Sequence, residues 1–237
     1  MKYQSVFERY EIKYLISKEQ QIQIKKEMEP YMIGDSYGKN TLFNIYLDTP
    51  NYVLIRRSIE RPAYKEKIRI RSYGRATPEQ KVFIELKRKY RSIVYKRRIG
   101  IEEHKVMDFL RQNIESKHSQ IEKEIHYFYQ QYDSLDKKVF LAYDREAFYQ
   151  KDNRDFRVTF DENILWRKED LSLCSSGEGT PLLKENQVLM EIKTSGAIPL
   201  WMTSILTKYG IYKTSFSKYG NAYRSMFAKY QKEKQIV

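Results

Sequence analysis

The chain has 237 residues, 41% of them apolar, and a formal charge of +13. That apolar share supports a sizeable core and excludes a disordered polymer, while the charge points to a polyanionic partner: nucleic acid, an anionic membrane or a phosphate compound. A lone cysteine, Cys174, excludes an intramolecular disulfide framework, and the chain has neither a signal-peptide core nor a run of about 18 apolar residues, so the expectation is a soluble, cytoplasmic protein.

Residues 7–16 alternate as a strand, with Arg9, Glu11 and Lys13 on one face and Tyr10, Ile12 and Tyr14 on the other. Ser17 and Gln20 form a capping box for a helix to about residue 29, which Pro30 stops. A strand over 41–48 follows, and Thr49 as N-cap with Pro50 at the first helical position predicts a short helix to about 59.

The segment 64–73, YKEKIRIRSY, sets Lys67, Arg69 and Arg71 against Ile68 and Ile70. Three like charges roughly 6.6 Å apart along one strand face repel one another unless an anion lies among them. Residues 81–90 repeat the separation, with Glu85 and Lys87 opposite Val82, Ile84 and Leu86, and the next strand sets Lys96 and Arg98 opposite Ile93, Tyr95, Arg97 and Ile99.

Helices are predicted over 102–114 and 119–133, then strands over 138–149 and 156–161 that present Tyr143 with Arg145 and Arg157 with Thr159 and Asp161. The segment 167–186, with SLCSSGEGTP, reads as a loop and is the stretch nominated as a mobile lid. A strand over 187–195 carries Glu191 and Lys193, a helix follows Pro199 to about 208, and a final helix starts near Ser217.

One charged strand would ordinarily face water with its apolar side on a core. Repeated over at least six strands, the pattern also fits an antiparallel sheet curled so that the charged face lines the interior and helices cover the apolar outside. That lumen would hold Arg9, Lys13, Lys67, Arg69, Arg71, Lys87, Arg145, Arg157 and Lys193 with Glu11, Glu85, Asp161 and Glu191. Such an excess of buried cations requires water or phosphates to compensate it.

Arg9-x-Glu11-x-Lys13, Lys67-x-Arg69-x-Arg71, Glu85-Leu86-Lys87, Arg145, Arg157 with Asp161, Glu191-Ile192-Lys193 and Phe216-Ser217-Lys218-Tyr219 occur in the order found in the VTC domain, the catalytic domain of polyphosphate polymerases of the vacuolar transporter chaperone. The resemblance covers about residues 6–228 and implies one domain over 1–237. The implied fold is α+β: a closed eight-stranded antiparallel β-barrel, the triphosphate tunnel, with helices on its outside.

The implied activity moves the γ-phosphate of ATP onto a growing polyphosphate chain, with Mn²⁺ or Mg²⁺ as cofactor and Glu191 as metal ligand. Arg69, Arg71, Lys87, Arg145, Arg157 and Glu191 are the implied catalytic set. The phosphate ligands that the resemblance implies are Arg9, Lys13, Lys67, Arg69, Arg71, Lys87, Lys96, Arg145, Arg157, Lys193 and Lys218.

ATP, inorganic polyphosphate and tripolyphosphate are the expected partners, with room for a membrane-protein partner. Arg9 stands where related tunnel hydrolases carry the first acid of Glu-x-Glu-x-Lys, which speaks against a hydrolase-type acidic cluster. Ser215 stands where the family pattern carries a lysine.

A tripolyphosphatase or nucleoside triphosphatase, and a non-catalytic polyphosphate-binding module, are the rival readings. Single-strand nucleic-acid binding ranks lower, because Tyr10, Tyr14 and Tyr95 are read as lying opposite the basic face. His104, His118 and His126 read as surface or packing residues, and the chain carries no Gly-rich phosphate loop.

Overall fold

A computed structural model describes residues 6–7, 10–60, 62–91, 93–112, 118–132 and 134–234. The elements in chain order are β1 (Val6–Phe7), β2 (Tyr10–Ser17), α1 (Lys18–Met28), β3 (Met32–Gly34), β4 (Asn40–Asp48), α2 (Val53–Ile59), β5 (Tyr64–Tyr73), β6 (Lys81–Tyr90) and β7 (Ile93–Glu102). Then come α3 (Val106–Arg111), α4 (Gln120–Gln130), β8 (Asp136–Gln150), β9 (Arg157–Arg167), β10 (Thr180–Pro181), β11 (Gln187–Thr194), α5 (Leu200–Lys208), β12 (Lys213–Thr214) and α6 (Lys218–Lys234).

The strands form one antiparallel sheet in the order β1-β7-β6-β5-β4-β8-β9-β11-β2-β12, with β3 added on β8 and β10 on β9. The α+β class holds, but the closed eight-stranded barrel does not: the sheet has twelve strands among the described residues and its hydrogen bonding is an open path. The reason lies at the edges. β12 pairs with β2 only at Tyr14 and Lys13, β1 pairs with β7 only at Tyr95 and Val94, and no ladder joins β2 to β7 among the described residues. The sheet nevertheless curls on itself, because Glu11 on β2 reaches Lys87 on β6 at 3.0 Å.

Period-2 alternation positions everything else. Ile68 and Ile70 of β5 and Ile84 of β6 turn outward into a fully buried cluster with Phe128 of α4 and Leu110 of α3. Val158, Met190 and Ile192 turn outward against Ile24 of α1 and Met202 of α5.

A third cluster forms on the inner face, where Leu42, Tyr46, Leu141, Ile164 and Leu189 meet Tyr219 and Ala222 of α6 and Ile55 of α2. The expectation that helices cover only the outside therefore fails for α6 and part of α2. They pack against the concave face and fill part of it.

The capping box at Ser17 with Gln20 forms, and a second one caps α4 at Ser119 with Glu122. Thr49 is not the N-cap of α2: Tyr52, in the left-handed region at φ 56°, takes that place, and Thr49 Oγ1 accepts from Val53 N at 2.9 Å. The predicted 102–114 helix shortens to a 3₁₀ turn over 103–105 and α3, and residues 113–117 lie outside the described ones.

Segment 168–186 is no free lid. Leu173 is fully buried in the outer core and its carbonyl accepts from Ala76 N, while Arg167 donates to the carbonyls of Glu169, Asp170, Ser176 and Glu178.

Asp48 ties α2 to α6. Its buried carboxylate accepts from Thr49 N at 2.8 Å, Leu54 N at 2.9 Å, Ile55 N at 3.0 Å and the Tyr219 hydroxyl at 2.9 Å. Removing it strands several buried donors at once, each costing about 1–3 kcal/mol before relaxation. Asp48→Ala is expected to lower unfolding stability in urea by about 2–4 kcal/mol, and Tyr219→Phe by about 1 kcal/mol. A loss below about 0.5 kcal/mol for Asp48→Ala would contradict this anchoring role.

Candidate functional site

The inward rows of β2, β5, β6, β7, β8, β9 and β11 converge with the start of α6 on a cavity of about 790 Å³. Among the described residues its lining holds eleven Lys and Arg side chains against four Asp and Glu. Lys13, Lys67, Arg69, Arg71, Lys87, Lys96, Arg145, Arg157, Lys193, Lys218 and Glu191 all line it. Arg9 lies outside the described residues.

The carboxylates hold the cations apart. Glu85, 2% exposed, lies 2.6 Å from Arg69 Nη2, 2.7 Å from Lys96 Nζ, 2.8 Å from Arg98 Nε and 3.7 Å from Arg71 Nη1. Burial alone would push its carboxyl up; Arg69, Arg71, Lys96 and Arg98 outweigh it and hold Glu85 well below the usual carboxylate range.

Glu191 is shared in the same way, by Lys218 at 3.1 Å, Lys193 at 3.3 Å, Arg145 at 3.4 Å and Lys13 at 3.5 Å. Here too burial acts upward and the four cations win. Asp161, fully buried, takes a two-pronged pair from Arg145 at 2.6 and 2.7 Å and Lys218 at 2.5 Å. Glu11 sits between Lys87 at 3.0 Å and Lys13 at 3.1 Å, with Lys87 the main cause of its lowered pKa.

Several cations are left over. Lys67 has no carboxylate within ion-pair distance among the described residues and donates instead to Ser217 Oγ at 3.0 Å. Burial, with Lys13, Lys87 and Lys65 nearby, pushes its ammonium down to about 7. Arg157 donates to the Arg154 carbonyl at 3.2 Å, and Arg154 lies 5.1 Å over the Tyr149 ring. These surplus charges mark where an anion would be bound.

The sequence reading set Tyr143 beside Arg145 on the basic face but missed the other tyrosines of the lumen. Tyr46 and Tyr143 line it, and Tyr10, read as facing away from the basic residues, is also in its lining. Tyr143 accepts from Arg71 Nη2 at 2.8 Å, and Lys218 lies 4.6 Å over its ring. Burial would push its phenol up, but Arg71, Arg145, Lys218 and Arg69 overcome that and bring it down to about 8. Its place on the inner row of β8, two residues before Arg145, was the available signal.

α6 brings the remaining lumen groups against the concave face of the sheet. Lys13 Nζ donates to the Phe216 carbonyl at 2.9 Å, and Ser217 Oγ accepts from Gly220 N at 3.1 Å, which fixes the entry of the helix. Lys218 then points at both Asp161 and Glu191. None of the three histidines lines the cavity, and among the described residues no group of three or more His, Cys, Asp or Glu side chains stands ready as a metal cage. A second hollow, of about 610 Å³ beside Arg57, Tyr64, Glu66 and Tyr132, lies outside the lumen, with Glu66 already holding Tyr64, Tyr132 and Arg88.

A curled antiparallel sheet around a cation-lined cavity is the architecture of the triphosphate tunnel proteins. Solved structures of similar fold include a candidate adenylate cyclase of Bacillus halodurans, at 13% identity and TM-score 0.54 over 90% of this chain and 96% of that one. A candidate adenylyl cyclase of Hippeastrum with a dominant triphosphatase activity matches at 16% identity and TM-score 0.54 over 92% and 95%. One from Vibrio parahaemolyticus matches at 10% identity and TM-score 0.50 over 92% and 99%.

Within that class, the VTC domain family model matches residues 8–227, and the chain belongs to this family. No curated protein sequence matches significantly. No helix among the described residues is long and apolar enough to cross a membrane.

The Tyr143 environment yields a direct measurement. In absorbance at 295 nm, one tyrosine is expected to ionise with a midpoint near pH 8, and this step should be missing in Tyr143→Phe. A folded-state pKa below the unfolded value of about 10 adds stability above that value, and this is lost as pH falls through about 8. Tripolyphosphate, by neutralising the surrounding cations, should move the midpoint upward; an unmoved midpoint at saturation would place the anion elsewhere.

Proposed function

We propose that the chain is a polyphosphate polymerase-type phosphotransferase that moves the γ-phosphoryl group of ATP onto the end of an inorganic polyphosphate chain inside the lumen. The observation that carries this reading is the cation surplus of an enclosed cavity whose own carboxylates are already shared among several cations each. A linear polyanion supplies closely spaced negative charge along such a row, and family membership supports the same class of substrate.

The transfer forms one P–O bond and breaks another. A terminal polyphosphate oxygen attacks the γ-phosphorus, the bond to the β–γ bridging oxygen breaks, and ADP leaves with that oxygen. The acceptor oxygen is already anionic at neutral pH, so no side chain has to remove a proton from it. The demand on the protein is alignment and charge stabilisation.

Arg69 and Arg71, held by Glu85, Tyr46 and Asn44, offer planar donors that fix the register of the phosphates. Arg145, oriented by Asp161, and Lys218 face the same space from the other wall. Lys87, Lys67, Lys193 and Arg157 add field along the chain.

Glu191 is the candidate ligand for Mg²⁺ or Mn²⁺. Its hard oxygen donors suit such an ion, Glu11 and Asp161 are close enough to feel its charge, and phosphate oxygens would complete the coordination. When bound, the metal would supply charge neutralisation at the β- and γ-phosphates.

Incubation of purified protein with ATP and Mn²⁺ or Mg²⁺, followed by separation of products, tests the proposal. Long-chain polyphosphate with ADP is expected; orthophosphate as the sole phosphate product would assign a triphosphatase, the activity of the Hippeastrum structural relative. Arg71→Ala is expected to lower turnover by about 10²-fold or more. Glu191→Gln should abolish turnover while tripolyphosphate still binds, and full turnover in that variant would end the metal-ligand assignment.

A further inference from the structure

Tyr73 closes the inward-facing row of β5, two residues beyond Arg71 and four beyond Arg69. At about 3.3 Å per strand residue it stands roughly 6.6 Å past Arg71. Unlike the arginines it is 49% exposed, yet it lines the cavity and is held in place. Its hydroxyl accepts from Arg98 Nη2 at 2.8 Å, and its ring meets Phe83 edge-on at 5.8 Å and 81°. Arg98 lies 4.0 Å over the Phe83 ring and 2.8 Å from Glu85, so the carboxylate that organises Arg69 also steadies this aromatic.

The antiparallel order gathers other aromatics at the same end of the lumen. β5 ends at Tyr73 where β4 begins, and further round β8 ends beside the start of β9. Phe148 and Tyr149, the latter capped by Arg154 at 5.1 Å, line the cavity there. An inorganic phosphate chain has no flat surface to match such faces. A nucleoside does, and a rigidly held aromatic lowers the ordering cost of stacking.

We infer that this rim takes the nucleoside of a nucleoside triphosphate, with the base stacked on Tyr73 and the phosphates running inward along Arg71 and Arg69. The inference rests on reading the lumen as a triphosphate site. Stacking engages the π-face that every base shares, so the rim accepts adenine and guanine nucleotides alike. The polyphosphate acceptor then meets the γ-phosphate from the inner side, among Lys67, Lys87 and Lys13.

Equilibrium binding of ATP, GTP and inorganic tripolyphosphate to wild type, Tyr73→Ala and Tyr73→Phe tests this arrangement. Tyr73→Ala should weaken ATP and GTP by similar factors, about 5- to 100-fold, and leave tripolyphosphate affinity unchanged, which also shows that the variant is folded. Tyr73→Phe should keep most of the nucleotide affinity. Unchanged nucleotide binding in Tyr73→Ala, or equal loss for all three ligands, overturns the inference while leaving the triphosphate reading in place. Failure of wild type to bind tripolyphosphate overturns both.

Discussion

The structure depends on one electrostatic compromise: a few buried carboxylates, each shared by several cations. Glu85 serves Arg69, Arg71, Lys96 and Arg98, while Glu191 serves Lys13, Arg145, Lys193 and Lys218. Breaking a buried pair by removing one partner typically costs about 3–5 kcal/mol, and here one acid is partner to four bases. The sharing keeps the cations ordered without neutralising them. A lumen balanced one to one would be stable and inert; one with no acids would not hold its side chains in place.

The positions of these groups follow from the backbone more than from the charges. Strand alternation sends the isoleucines of β5 outward to the α3 and α4 core and Lys67, Arg69 and Arg71 inward, so the same packing that stabilises the sheet aims its cations. Asp48 then locks α6 to α2 through Tyr219, one residue from Lys218. A structural carboxylate thereby sets the placement of a lumen ammonium that it does not touch.

The lumen was legible where period 2 and charge coincide. Lys67-x-Arg69-x-Arg71, Glu85-x-Lys87 and Glu191-x-Lys193 separate charged from apolar faces so cleanly that the inward row can be read from the sequence alone. Alternation says nothing about what an edge strand pairs with. The two-residue β12, too short to carry a pattern, pairs with β2 at Tyr14 and Lys13.

Other features were hidden for different reasons. Tyr46 and Tyr10 escaped because aromatic residues suit either face of a strand. Tyr52 escaped because a left-handed N-cap without glycine carries no compositional mark. The packing of α6 against the concave face was out of reach because its apolar residues fit an inner wall as well as an outer one.

The union of β2, β11 and α6 has a kinetic side. Lys13 pairs with the Phe216 carbonyl across 203 positions of sequence, and Lys67 with Ser217 across 150. Contacts this distant form late, after most loop-closure entropy has been lost. Docking of α6 sets Lys218 on Asp161 at 2.5 Å and Glu191 at 3.1 Å, so carboxylates carried by β9 and β11 draw in the segment that has the longest loop to close.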